Sequence, residues 1–363
     1  MKRIINMILM TVAAITAATS CGIDNNGPEN TATDLTISVD TPVIRSDGKS
    51  AAKITVKLGD EVVTDGVTLY DAANDSPVDI PGMTFTTTEP GIHSFWATYK
   101  TFHTKPVSIT AITSPIPELP ADSKPAATDF ARKVFITQFT GTGCQFCPNM
   151  ISLLEKFAEN NEGKFVLAAC HTFNNTDPAF IDEPIDNAMA ISGYPNVVLD
   201  LDKSRKFADY TKPARFAEMF EDEYADGKSD TGISVASVLD GNNLVVKAKM
   251  KVAKDGKYRL AAWLLEDGIE AKQSGSSNPM DIHDNCVRLM MGKNSASDFT
   301  GSRYMLEAGE SVEEFFLMTL DSKWKSENCH IVVFACTENG LTYTVNNVVD
   351  CPAGSNVAFS YIN

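Results

Sequence analysis

The sequence predicts a multidomain α+β protein: a β-sandwich on the N-terminal side, an α/β domain in the middle and a second β-sandwich at the C-terminal end. Three observations lead there. From Asp34 to about Ile112 short alternating runs are broken by turn signals. From about Asp129 apolar runs fit for buried strands alternate with helical spacings. From Gly232 onward the text is strand-like again. At 363 residues the chain has room for two or three such domains.

The first twenty residues stand apart. Lys2 and Arg3 precede an apolar run from Ile4 to Ala18, the pattern of a secretory signal peptide over 1–20. The run is shorter than the ~20 apolar residues a membrane span needs. It ends in "AATSCG", which resembles a lipobox, with Ala18 where Leu is commoner. That resemblance implies cleavage before Cys21 and acylation of Cys21. "GIDNNGPENTATD" follows, polar and without pattern, and reads as a lipoprotein tether over 21–33. The partner implied is a membrane surface, held through acyl chains.

Removing Lys2 and Arg3 from the 31 basic residues leaves 29 against 47 acidic ones, a net charge of −18. A nucleic-acid partner is therefore not expected, because phosphate contacts need basic clusters. Export also sets an oxidising compartment in which cysteines are free to pair.

Residues 34–112 carry "RSDGKSAAKITVKL" and "GIHSFWATYK" among many short strands. They resemble the immunoglobulin-like domains of bacterial surface proteins. "TSPIPELPADSKPAA", residues 113–127, has four prolines and predicts a semi-rigid linker.

The middle region, 128–228, begins with the strand "KVFITQFT" and the stretch "GTGCQFCPNM". Apolar residues at Met150, Leu153, Leu154 and Phe157 predict a helix that ends at Gly163. "KFVLAACH" is a second strand and "DEPIDNAMAISG" a short helix. "YPNVVLDLD" is a third strand led by Pro195, and "KPARFAEMFEDEYADG" an amphipathic helix with Phe216, Met219, Phe220 and Tyr224 on one face. Over 231–363, "ISVASVLDGNNLVVKAKMKV" and "HIVVFACTENGLTYTVNNVV" read as hairpins, the second with Asn339-Gly340 at its tip.

A C-x-x-C between a strand and a helix resembles the thioredoxin arrangement. A cysteine at a helix N-terminus is stabilised as thiolate by unpaired N–H groups and the helix dipole. Pro148 suits the first helical turn. Pro195, 48 residues beyond Cys147, matches the cis-proline that faces the cysteines in that fold. The resemblance gives Cys144 the attack on a partner disulfide, Cys147 the resolving step and Pro195 the placing of the partner strand. The sequence departs from the pattern at two positions: Gly143 stands where an aromatic is usual, and Gln138 where thioredoxin has a buried Asp. Two readings stay open, a thiol–disulfide oxidoreductase and a disulfide that pins the strand–helix turn. Zinc held by Cys144, Cys147, His283 and Cys286 is a third reading, disfavoured by the oxidising compartment and by the two pairs lying in different regions. No metal and no cofactor is expected.

Cys329 and Cys336 lie seven apart on one strand and should face opposite sides. With the tip at Asn339-Gly340, position 329 lies opposite 350, which predicts a Cys329–Cys351 disulfide. Cys170 and Cys336 read as buried free cysteines. His171 ends a strand on the edge where α/β sheets present ligands; a histidine bonded to a backbone carbonyl is the expectation. Trp96, Trp263 and Trp324 read as core residues.

The whole layout, with "FTGTGCQFCP", "HDNCVRLMMG" and "WKSENCHIVVFACTENGLTYTVNNVVDC", resembles the outer-membrane lipoprotein family named for a twenty-eight-kilodalton member, over roughly Ala131 to Asn363. The resemblance implies a Gram-negative outer-membrane lipoprotein, periplasmic or surface-facing, with protein or peptide partners in the envelope or at the surface. A display or adhesion role, with the C-x-x-C as a staple, is the alternative to redox exchange.

Overall fold

The computed structural model describes residues 34–182, 185–276, 280–291, 299–340 and 342–362. The expected signal peptide, the tether and Cys21 lie outside them. Two compact units are present, one closing at Ala111 and the other running from Ile112 onward.

In the first unit, Leu35–Val39 pairs with Ala52–Leu58 in one sheet. Val67–Asp71, Gly91–Tyr99 and Val107–Ile112 run side by side in the other. Strand alternation explains the packing: Ala52, Ile54 and Val56 point inward while Lys53 is exposed. They meet Leu69, Phe95, Ala97 and Ile109 of the second sheet in one core. Two sheets joined this way form a sandwich.

The second unit is built around a nine-stranded sheet. Its elements in chain order are β1 (Val134–Thr140), α1 (Cys147–Glu159), β2 (Phe165–His171), α2 (Ile185–Ala188), β3 (Asn196–Leu199), β4 (Lys206–Phe207) and α3 (Pro213–Tyr224). Then come β5 (Thr231–Asp240), β6 (Asn243–Val252), β7 (Gly256–Glu266), β8 (Cys286–Met291), β9 (Ser311–Thr319), β10 (Cys329–Asn339) and β11 (Thr342–Pro352). The sheet runs β4-β3-β1-β2-β8-β7-β10-β11, with Ser302–Leu306 also paired to β7. β1 and β2 are parallel, and β2 meets β8 in parallel through Ala169 and Cys286. β3 is antiparallel to β1.

The sequence reading assigns 128–228 and 231–363 to separate domains, yet this one sheet serves both. Continuous apolar text in β1 and β7 fits strands covered on both faces, and both are buried almost throughout. On one face Phe135, Phe139 and Cys170 share a core with Trp263, Phe334 and Cys336. On the other, Met150, Leu153 and Leu154 of α1 and Phe216 and Phe220 of α3 cover Val134 and Ile136 of β1. A second sheet of β9, β6, β5 and Asn356–Val357 closes over the C-terminal half, enclosing Leu260, Leu264, Ile331 and Phe316.

The expected linker is bound to this unit. Thr113 and Ser114 donate to the Asp240 carboxylate. Lys251 pairs with Asp122, whose carboxylate also accepts from the Tyr361 hydroxyl at 2.7 Å. The prolines set the extended path; polar side chains fasten it.

The predicted Cys329–Cys351 disulfide is absent: both cysteines are free and buried. Asn339 pairs with Thr342, and an irregularity between Ala335 and Cys336 shifts the register again. Cys351 consequently faces Ile331, and the Cys329 carbonyl accepts from Ala353 N–H. The hairpin register assumed from the Asn-Gly pair differs from the pairing that forms. Cys329 and Cys336 do lie in different cores.

Candidate functional site

β1 ends at Thr140 and α1 starts at Cys147, so residues 141–146 form a loop at the C-terminal edge of the sheet. A disulfide joins Cys144 to Cys147. Pro148 sits in the first turn of α1, where a missing N–H is harmless. No side chain caps this helix start, so its first N–H groups and dipole favour negative charge on sulfur when the pair is reduced. Asn196 pairs with Phe139. Pro195, reached through a cis peptide bond from Tyr194, therefore lies at the same edge as the cysteine loop.

The two departures from the thioredoxin pattern have structural counterparts. Gly143 leaves room for another segment: a Cβ there would stand 3.0 Å from Asn174 Oδ1 and 3.3 Å from Phe173 Cε1. An aromatic ring beside the loop is thus supplied by Phe173, which also meets Tyr194 edge-on. Gln138 is buried in β1 between Ala169 and Val197, and its Nε2 has no partner. It lines a cavity of about 260 Å³ with Thr140, Glu155, His171 and His283.

His171 departs from the backbone-bonded histidine expected. It is buried, its Nδ1 lies 2.8 Å from Asp177 Oδ2, and its Nε2 lies 3.5 Å from Cys286 Sγ. The His283 ring stands perpendicular to it at 5.3 Å. Burial works against charge on Asp177. The His171 bond and charge, with the N–H groups of Thr142 and Ala179, outweigh that and hold its carboxyl well below the usual range. Burial pushes the Cys286 thiol up, so it is protonated. Burial also lowers His283. Thr142 N–H donates to Asp177 Oδ2 at 2.6 Å, which fixes the cysteine loop against this cluster.

A second segment closes over the loop. Gln273 is buried, and its Nε2 lies within 3.3 Å of the carbonyls of Gly141, Thr142 and Cys144. Ser274 N–H donates to the Thr142 carbonyl at 2.8 Å. Gly275 has φ +76 and packs against the Gln145 carbonyl so closely that no side chain fits. Phe146, between the two cysteines, remains 58% exposed.

The structure thus brings Cys144, Cys147 and the Pro195 edge together. His283 and Cys286 come together with His171 instead of with the C-x-x-C. Sequence reasoning missed Phe173, Asp177, Gln273 and Gly275. The polar "NNTD" after β2 was the signal for Asp177; nothing near Gln273 marks it.

Comparison with known proteins adds the family. A family model described as outer membrane protein Omp28 matches residues 183–357. This span, just under half of the chain, is what relates it to the Omp28 family. The match supports an outer-membrane location. Among solved structures, the chain is similar to HBP35 of Porphyromonas gingivalis, at 14% identity and a TM-score of 0.49, over 62% of this chain and 77% of that one. It is also similar to a domain of the outer membrane lipoprotein Omp28 from Porphyromonas gingivalis, at 16% identity and a TM-score of 0.24, over 35% of this chain and 89% of that one. No curated protein matches. The Omp28 match supplies Gln273, Gly275 and Cys286, whereas Cys144 and Cys147 lie before it.

Proposed function

We propose that the chain is an outer-membrane lipoprotein, tethered through an acylated Cys21, whose 128–228 region is a thioredoxin-like module for thiol–disulfide exchange with envelope proteins. The observation that carries this reading is the Cys144–Cys147 disulfide at the start of α1 with Pro195 on the same sheet edge. In the oxidised state a partner thiolate attacks Cys144 Sγ. The Cys144–Cys147 bond breaks, a mixed disulfide forms, and Cys147 leaves as thiolate and takes a proton. The partner's second thiolate then attacks the partner sulfur of the mixed disulfide and releases Cys144. The partner ends as a disulfide and the protein as a dithiol, and the reverse sequence reduces a partner disulfide. Pro195 would hold the partner segment beside the sulfurs.

The test is a Cys147→Ser variant of the tethered protein in its own envelope. It should trap mixed disulfides through Cys144, visible as adducts that a reductant releases. A second reading, a display lipoprotein stapled by this disulfide, is favoured by burial, since Cys144 and Cys147 are 2% and 0% exposed. No adducts, together with a reduction potential below about −300 mV, would select the staple.

A further inference from the structure

The Cys144–Cys147 disulfide is covered by the chain's own segment 271–275, and we propose that this segment is a displaceable cap that controls access to it. The cap makes three independent contacts with the cysteine loop. The Gln273 amide reaches the carbonyls of Gly141, Thr142 and Cys144, at 3.3, 3.3 and 3.0 Å. Ser274 N–H bonds to Thr142 O. Gly275 lies against Gln145. The cap has a fixed base, since Ala271 N–H donates to Asp281 O and the Ala271 carbonyl meets His283 Nε2 at 3.0 Å.

Two features make the cap displaceable. Its hold on the loop consists of polar bonds to backbone carbonyls, which water can replace once the donor moves away. At its closest approach the cap offers only backbone, because Gly275 has no side chain, and Gln273 Oε1 has no hydrogen-bond partner among the described residues. A partner that takes the cap's place must offer what the cap offers. The fitting chemistry is an extended polypeptide segment whose amide N–H groups bond to the Thr142 and Cys144 carbonyls.

This control of access rests in part on the exchange reading, but the cap can be tested without any partner. The full mature chain is exposed to a small phosphine reductant, and the appearance of Cys144 and Cys147 thiols is followed by alkylation and mass. Gln273→Ala removes the amide donor. Gly275→Ala drives a Cβ into the Gln145 carbonyl. Both should speed reduction at least tenfold, while Gly241→Ala, which meets nothing within 4 Å, should leave it unchanged. Amide exchange at Ser274 should rise in Gln273→Ala with the rest of the sheet protected, which separates cap opening from unfolding. Reduction rates within twofold of the parent in both variants, with folding retained, would overturn the cap. Faster reduction without mixed disulfides in the Cys147→Ser background would keep the cap and reject the exchange reading.

Discussion

Asp200 is a side chain whose loss should weaken the second unit sharply. It is fully buried and meets three parts of the chain. Its Oδ1 accepts the Phe135 N–H of β1 at 2.7 Å, its carbonyl accepts the Val345 N–H of β11 at 2.8 Å, and its Oδ2 takes the Arg132 guanidinium. Arg132 is itself buried and donates to the Asn346 carbonyl. Burial raises the Asp200 carboxyl above its ordinary range, and Arg132 opposes that rise. The two partners should therefore respond unequally to losing each other. Asp200→Asn strands a guanidinium that cannot give up its proton; besides the Asn346 carbonyl, the carboxylate left to it is Glu223 at 3.5 Å. The expected loss is about 3–5 kcal/mol. Arg132→Met leaves a carboxyl that can neutralise itself by taking a proton, and the loss should fall to about 1–3 kcal/mol. The double variant removes both charges, while the new side-chain amide keeps a carbonyl acceptor for Phe135 N–H. Its stability should return to within about 1 kcal/mol of the Arg132→Met value or better. Urea unfolding at pH 7, followed by tryptophan fluorescence and far-UV circular dichroism, gives all three numbers. A loss below about 1 kcal/mol for Asp200→Asn, or a double variant no more stable than it, would refute the reasoning.

His330 lies 2.6 Å from Asp350 and 3.5 Å from Asp267. Burial lowers its pKa, but bonds and charges from both carboxylates raise it to about 9. Its stabilisation is complete below the unfolded value of about 6.5 and is lost as pH rises through about 9, so His330→Gln should flatten stability over that window. Because the partner carboxylates are 47% and 41% exposed, the effect should stay below about 3 kcal/mol. Trp263→Ala empties a fully buried site among Phe135 and Phe334 and frees the Phe299 carbonyl; unfolding should show a loss of about 3–5 kcal/mol. Cys170, Cys286, Cys329, Cys336 and Cys351 should resist alkylation in the native protein and react together once it is denatured, with Cys329 and Cys351 recovered as separate thiols by mass.

Much of the fold is legible because local rules and tertiary packing agree. Helical spacing at Met150, Leu153 and Leu154 gave α1, and those residues are its buried face. Phe216 and Phe220 did the same for α3. The hairpin of β5 and β6 closes at Asp240 and Asn243, where its turn residues lie. What escaped is long-range. Nothing in the β8 text says that Cys286 will lie beside Ala169, a single pairing that fuses two regions into one sheet. The register of β10 and β11 slipped because the turn closes between Asn339 and Thr342 and a bulge follows at Ala335 and Cys336, neither of which leaves a mark in the sequence. Within the site, Cys144, Cys147 and Pro195 were readable from spacing. Gln273 was not, because a glutamine in a loop gains its role only through carbonyls 129 to 132 residues away.

The single sheet has a consequence for how the Omp28 region can be handled. The matched span opens at residue 183, after β1 and β2 have ended, yet those two strands sit between β3 and β8. A piece cut at the family boundary would keep β3 and β8 and lose what lies between them. Each would carry a bare row of amides and carbonyls, the template on which strands of different molecules join. The stretch inherited as a recognisable family is therefore smaller than the stretch that can stand alone in water, and a soluble fragment should begin near residue 113, where the proline-rich segment already fastens to this unit.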